Sequence, residues 1–184
     1  MKLDYTDQRS NRPEMPRFGF RFSMPGSFEN LSWFGRGPHE NYCDRNTSAF
    51  VDEYHQKVAE QYFPYVRPQE NGYKTDLRWF ALTNNKGDGL LLIGQPMFSG
   101  SALNNSVEDF DQGIKANYRH TIDIVPKDEV FVTVDLMQMG VGGDDSWGAL
   151  PMSKYLLPAG DYVFTFRLIP YFGGKINPFD ARKK

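Results

Sequence analysis

From residue 17 to 24, Phe18, Phe20, Phe22 and Met24 alternate with Arg17, Gly19, Arg21 and Ser23. A period of two places the apolar side chains on one face and the polar residues on the other, which predicts a half-buried strand. Residues 31–34 (LSWF) predict a second strand, closed by Gly35, Gly37 and Pro38. Residues 49–54 leave strand and helix both open, because Phe50, Tyr54 and Val58 also fit a helical spacing. Pro64 and Pro68 impose extended chain around Tyr65 and Val66. Tyr73, Thr75, Leu77, Trp79 and Ala81 alternate again, and residues 90–93 are wholly apolar. The Asn- and Gly-rich residues 84–89 between these two runs tolerate positive φ, so a hairpin is predicted.

Residues 104–116 predict a short helix with Asn105 or Ser106 near its cap. Strands are expected over 118–125, 130–136 and 162–169. Residues 1–15 read as a polar lead-in, 16–170 as one domain and 171–184 as a loose tail. Many short strands separated by turn signals predict an all-β fold, an antiparallel sandwich or barrel. The 15 Phe and 10 Tyr of this 184-residue chain strengthen that reading, since flat rings pack well on a pleated surface. Most of these rings are expected in the core, with some left as platforms for sugars.

A net charge of -2 implies no broad basic face, so nucleic acid is not an expected partner. No apolar run approaches a transmembrane length, and no membrane partner is expected. The first residues lack the apolar core of a signal peptide, which leaves cytoplasm and periplasm both open. A single cysteine, Cys43, excludes an internal disulfide and reads as a free structural thiol. His39, His55 and His120 are scattered without metal-ligand spacing, and structural roles are expected for them. There is no G-x-S-x-G, P-loop or H-E-x-x-H pattern.

Two loops draw attention. In residues 35–42 (GRGPHENY), two glycines and a proline set an unusual backbone path beside Glu40 and Asn41. Those side chains either bind a ligand or cap nearby backbone groups, and capping is the commoner role. In residues 139–148 (MGVGGDDSWG), three glycines precede Asp144, Asp145, Ser146 and Trp147. Glycine permits close backbone approach there. An indole face suits the C–H face of a pyranose, and the Asp and Ser side chains suit its hydroxyls. A Trp folded back as a plug on the sandwich end is the alternative, and chemistry alone leaves both open. Glycoside hydrolysis needs two carboxyls about 5 to 10 Å apart across the scissile bond, and adjacent acids in a turn do not supply that pair.

At these loops the sequence resembles a known family. Residues 37–45 (GPHENYCDR) are similar to the G-P-x-E-N-Y-x-D-R stretch of the small-chain, C-terminal (domain 5) region of glycoside hydrolase family 2 β-galactosidases. Residues 64–72 (PYVRPQENG) resemble its P-Y-V-x-P-x-E-N-G stretch, and residues 139–147 its M-G-x-G-G-D-D-S-W stretch. Residues 16–19 (PRFG) resemble the P-R-x-G that opens this part of the domain. The matches keep their order and span about 16–169.

The resemblance implies a galactose mutarotase-like supersandwich, here a partial one, since the family domain has strands before the P-R-x-G point. It implies hydrolysis of terminal β-D-galactosides in the full enzyme, with the catalytic glutamates on a separate TIM barrel and no catalytic residue here. This chain alone is then expected to be inactive. By the same resemblance Trp147 stacks on sugar at the aglycone side, with a galactoside or disaccharide as ligand. Magnesium and sodium are expected in the parent enzyme, bound in other domains, and none in this chain. The remaining β-galactosidase domains are the expected partners, and unpaired strand edges predict homo-oligomers. A free-standing carbohydrate-binding module is one alternative. A mutarotase-like aldose epimerase, with His120 and Glu70 as its acid and base, is another, on fold analogy alone.

Overall fold

The computed structural model describes residues 2–5, 14–111, 119–145 and 148–173. Its strands are β1 (Lys2–Tyr5), β2 (Arg17–Pro25), β3 (Asn30–Gly37), β4 (Phe50–Lys57), β5 (Lys74–Thr83), β6 (Gly89–Leu103), β7 (Glu129–Gln138) and β8 (Tyr162–Tyr171). Every pairing among them is antiparallel. Among the described residues helix is confined to a turn at Val107–Phe110 and three short 3-10 segments. The all-β, sandwich-like expectation holds.

The long strand β6 organises the sheet. Its first half, residues 89–95, lies between β5 and β8, and β8 in turn carries β1. Its second half, residues 99–103, keeps a pairing with β5 through Gly100 and Lys74 but has β7 in place of β8, and β7 carries β2. One strand thus feeds two arms. The arms face each other, because Phe20 of β2 stacks on Phe166 of β8 with ring centroids 4.6 Å apart. On the β5 side, β3 and then β4 complete the path.

The period-two pattern of β2 does what was expected of it. Phe20, Phe22 and Met24 stand opposite Val134, Val132 and Val130 of β7 and pack on the main core. Cross-strand apolar pairs of this kind are the unit of sheet stabilisation. Leu31, Trp33, Leu92, Phe164 and Phe166 belong to the same core.

β5 departs from its predicted single face. Leu77 joins Phe80 and Leu82 in the main core, whereas Trp79 and Ala81 join Leu91 and Ile93 in a second cluster. The pairing register with β6 shifts on both sides of Leu77, and Asp76 sits at φ 55°. An extra residue in a bulge changes which parity faces the core.

Other expectations are corrected. β3 ends at Gly37, ahead of Pro38, but Gly35 does not close it and lies within it, where a Cβ would stand 2.8 Å from Leu77. Residues 50–57 are strand, pairing residue by residue with β3. The strand expected over 118–125 is absent from its described part. Thr121–Asp123 is a 3-10 turn, held by the Asp123 carboxylate accepting the His120 N–H at 2.7 Å. Ile122 and Val125 are 89% and 69% exposed and Ile124 alone turns inward, against Leu103 and Phe110, so the stretch has no alternating face to lay on a sheet. The lead-in contains β1, paired with β8. The predicted helix is the Val107–Phe110 turn, where Asp109 accepts the Ser106 N–H at 2.8 Å, and residues 112–116 lie outside the described residues.

Candidate functional site

Four stretches singled out in the sequence meet at one end of the sandwich. The tight turn at residues 42–45 is closed by the Arg45 N–H donating to the Tyr42 carbonyl at 2.8 Å. It is pinned to β5 from several directions. The Asn41 N–H donates to the Tyr73 carbonyl at 2.8 Å, and Asn41 Oδ1 accepts the Thr75 N–H at 2.9 Å. Asn41 Nδ2 donates to the carbonyls of Arg36 and His39. Glu40 accepts the Gly72 N–H at 2.8 Å and the phenol of Tyr65. Tyr42 is buried and stacks on Tyr73 at 5.6 Å with the rings 9° apart. Glu40 and Asn41 therefore satisfy backbone groups, the capping role weighed above.

From this anchored turn Asp44 reaches the glycine-rich loop, and its Oδ2 accepts the Gly142 N–H at 2.7 Å. The loop base is also tied by the Met139 N–H to the Pro16 carbonyl at 3.0 Å and by the Gly140 N–H to the Tyr155 carbonyl at 2.8 Å. A Cβ on Gly140 would lie 2.6 Å from Asp44 Oδ2, so glycine is required by close approach. Asp144 and Asp145 are exposed, and Asp145 Oδ1 accepts the Ala149 N–H at 3.3 Å. Ser146 and Trp147 lie outside the described residues.

The chain matches, over residues 1–168, the family described as β-galactosidase small chain. This chain belongs to that family. A β-galactosidase from Priestia megaterium is 45% identical over 159 residues, covering 86% of this chain and 15% of that protein. One from Streptococcus thermophilus is 34% identical over 166 residues, covering 89% of this chain and 16% of that protein. One from Vibrio cholerae is 36% identical over 159 residues, covering 86% and 14%. The small chain thus spans about 15% of the length of the curated relatives it matches.

Beneath the loop, the small-chain domain buries a charged network that sequence reading missed. Asp135 is fully buried on β7 and accepts the Tyr73 phenol at 2.8 Å and Arg17 Nη1 at 3.2 Å. Arg17 also pairs with Glu70 at 2.5 Å, linking two of the motif stretches. Burial pushes the Asp135 carboxyl up to about 6, against the opposing pull of Arg17 and the Tyr73 hydrogen bond. Alternation alone puts Asp135 on the face opposite Val130, Val132 and Val134, and nothing local marks that face as covered. Lys74 is a second buried ion. Its Nζ donates to Gln61 Oε1 at 2.8 Å and lies 5.2 Å over the Trp33 ring, and burial draws its pKa down to about 8.

Beside the Asp44 turn a cleft of about 250 Å³ is lined by Tyr42, Cys43, Asp76, Met97, Gln138 and their neighbours. Cys43 is a free, exposed thiol whose Sγ lies 3.5 Å from the Gln138 carbonyl. His39 contacts Ser48 Oγ at 3.1 Å and His55 contacts Ser32 Oγ at 2.8 Å. Glu70 is engaged by Arg17, and His120 is exposed at the entry to its 3-10 turn. Among the described residues no group of three or more His, Cys, Asp and Glu is placed to hold a metal ion. No helix among them is long and apolar enough to cross a membrane.

Proposed function

We propose that this domain is the C-terminal part of a β-galactosidase and lends its glycine-rich loop to a sugar site completed by the rest of that enzyme. Trp147 stacks on the aglycone side of a galactoside or disaccharide, and Asp144, Asp145 and Ser146 offer hydrogen bonds to its hydroxyls. Bond cleavage belongs to glutamates elsewhere in the enzyme, one protonating the leaving oxygen and one attacking the anomeric carbon. The remaining domains are its partners.

The observation that carries this reading is the convergence of the four family-like stretches on the base of the 139–148 loop, with Asp144 and Asp145 left exposed beyond it. A rigid scaffold that positions a surface loop is how loops are made to bind. The test is Trp147→Ala in the complete enzyme. Aromatic stacking is worth roughly 0.5–1.5 kcal/mol, so the KM for lactose should rise about two- to twelvefold. Hydrolysis of an activated aryl galactoside should change less. An equal loss on both substrates overturns the stacking role.

A further inference from the structure

We infer that Asp44 is a positioning residue for the sugar-site loop: a carboxylate, held on its own rigid turn, that sets where the glycine-rich segment emerges. The inference rests on the loop's proposed role and adds the residue through which the scaffold controls it.

The argument starts from separation. Asp44 and Gly142 stand 98 residues apart in the chain, yet Asp44 Oδ2 accepts the Gly142 N–H at 2.7 Å. A bond from an amide to an ionised carboxylate is about twice as strong as a neutral one. The loop backbone runs closely along this carboxylate. A Cβ would meet Asp44 Oδ2 at 2.6 Å from Gly140 and at 3.0 Å from Gly142. Both glycines are thus explained by one neighbour. Asp44 itself cannot drift. Tyr42 is buried against Tyr73, Asn41 is buried and hydrogen-bonded to Thr75, and Glu40 holds Gly72. Residues 144 and 145 follow immediately beyond the held amide, and Trp147 is five positions on from Gly142. A shift of about 1 Å at such a base is enough to spoil the placement of a contact group.

The test uses the complete β-galactosidase that carries this domain. Asp44→Ala removes the acceptor, and Asp44→Asn keeps an oxygen in its place. Asp44→Ala should raise the KM for lactose severalfold while kcat on nitrophenyl galactoside stays within about twofold, a split that simple loss of folded enzyme does not produce. Asp44→Asn should recover most of the lost affinity. The double variant Asp44→Ala/Trp147→Ala should lose less than the product of the two single losses, since both changes act on the same loop. If Trp147→Ala raises the lactose KM and Asp44→Ala does not, the positioning role is overturned and the loop's role stands. If Trp147→Ala changes nothing, the sugar-site reading fails, and amide exchange decides Asp44 separately. Asp44→Ala must then speed exchange in the peptide spanning 139–148, and an unchanged rate overturns the clamp. Should Asp44→Ala not accumulate as folded enzyme, Asp44→Ser, too short to reach the amide, takes its place in every comparison.

Discussion

The phenol of Tyr73, just ahead of β5, donates at 2.8 Å to Oδ2 of Asp135 on β7, 62 residues away, in a position where both residues are buried. Tyr73 also stacks on Tyr42, so the same ring supports the Asp44 turn on one side and the buried acid on the other. The charged network and the loop base are therefore parts of one assembly.

That burial has a pH signature. Folded Asp135 titrates near 6, and an unfolded Asp titrates at about 3.9. The folded state holds the extra proton across this window. The contribution of Asp135 to stability is therefore full below about pH 4 and is lost as pH rises through about 6. At one pKa unit per about 1.4 kcal/mol, the loss is on the order of 2–3 kcal/mol. Thermal melts from pH 4 to 7.5 should show this fall in the wild-type chain relative to Asp135→Asn. Parallel curves for the two proteins would contradict the assignment.

Lys74 gives the opposite sign. Its folded pKa of about 8 lies below the unfolded value of about 10.4, because burial disfavours the ammonium. Its contribution to stability is present above about pH 10.4 and is lost as pH falls through 8. Denaturant midpoints of wild type minus Lys74→Met should rise between pH 8 and 10. A flat difference would place Lys74 in contact with water.

Gly19 faces a wall of backbone. An added Cβ would collide with the Val134 carbonyl and with Asp135, beside the register shift between Phe18 and Gly19. Gly19→Ala should cost about 1–3 kcal/mol by overpacking, read as a lowered urea midpoint. A change below about 0.5 kcal/mol, the range of ordinary surface substitutions, would show that β2 shifts to make room.

Phe166 fixes the two arms against each other through its stack on Phe20. Phe166→Ala should cost about 3–5 kcal/mol, more than Phe50→Ala on the exposed edge strand β4, where Phe50 is 76% exposed. Equal effects from the two substitutions would mean that the arms do not pack as described.

β4 pairs with β3 and with no other described strand, and it exposes Phe50 and Val51. An unpaired edge of this kind invites strand addition. Light scattering on the 184-residue chain at tens of micromolar should detect self-association, weakened by Val51→Lys. A monomer at every concentration would rule the edge out as a contact.

Local pattern carried much of this protein. The alternation of Phe18, Phe20, Phe22 and Met24 named both a strand and its buried face, because side chains on a pleated backbone repeat every two residues whatever lies beyond. The turn residues of 84–89 named the hairpin between β5 and β6 for a similarly local reason. Short loops with distinctive composition pointed to the family that the comparisons then established.

What tertiary structure decided is everything that depends on which distant segments meet. A register shift between Leu77 and Trp79 moved Trp79 and Ala81 off the face of Leu77, an outcome set by pairing with β6 rather than by residue type. Asp135 became a buried ion because Arg17 arrives from β2 and Tyr73 from the segment ahead of β5 to cover it. Asp44 and Gly142 were each visible in the sequence as members of separate motifs. Their hydrogen bond exists only because the fold brings a turn before β4 against the loop after β7, and no local periodicity encodes a contact between segments so far apart.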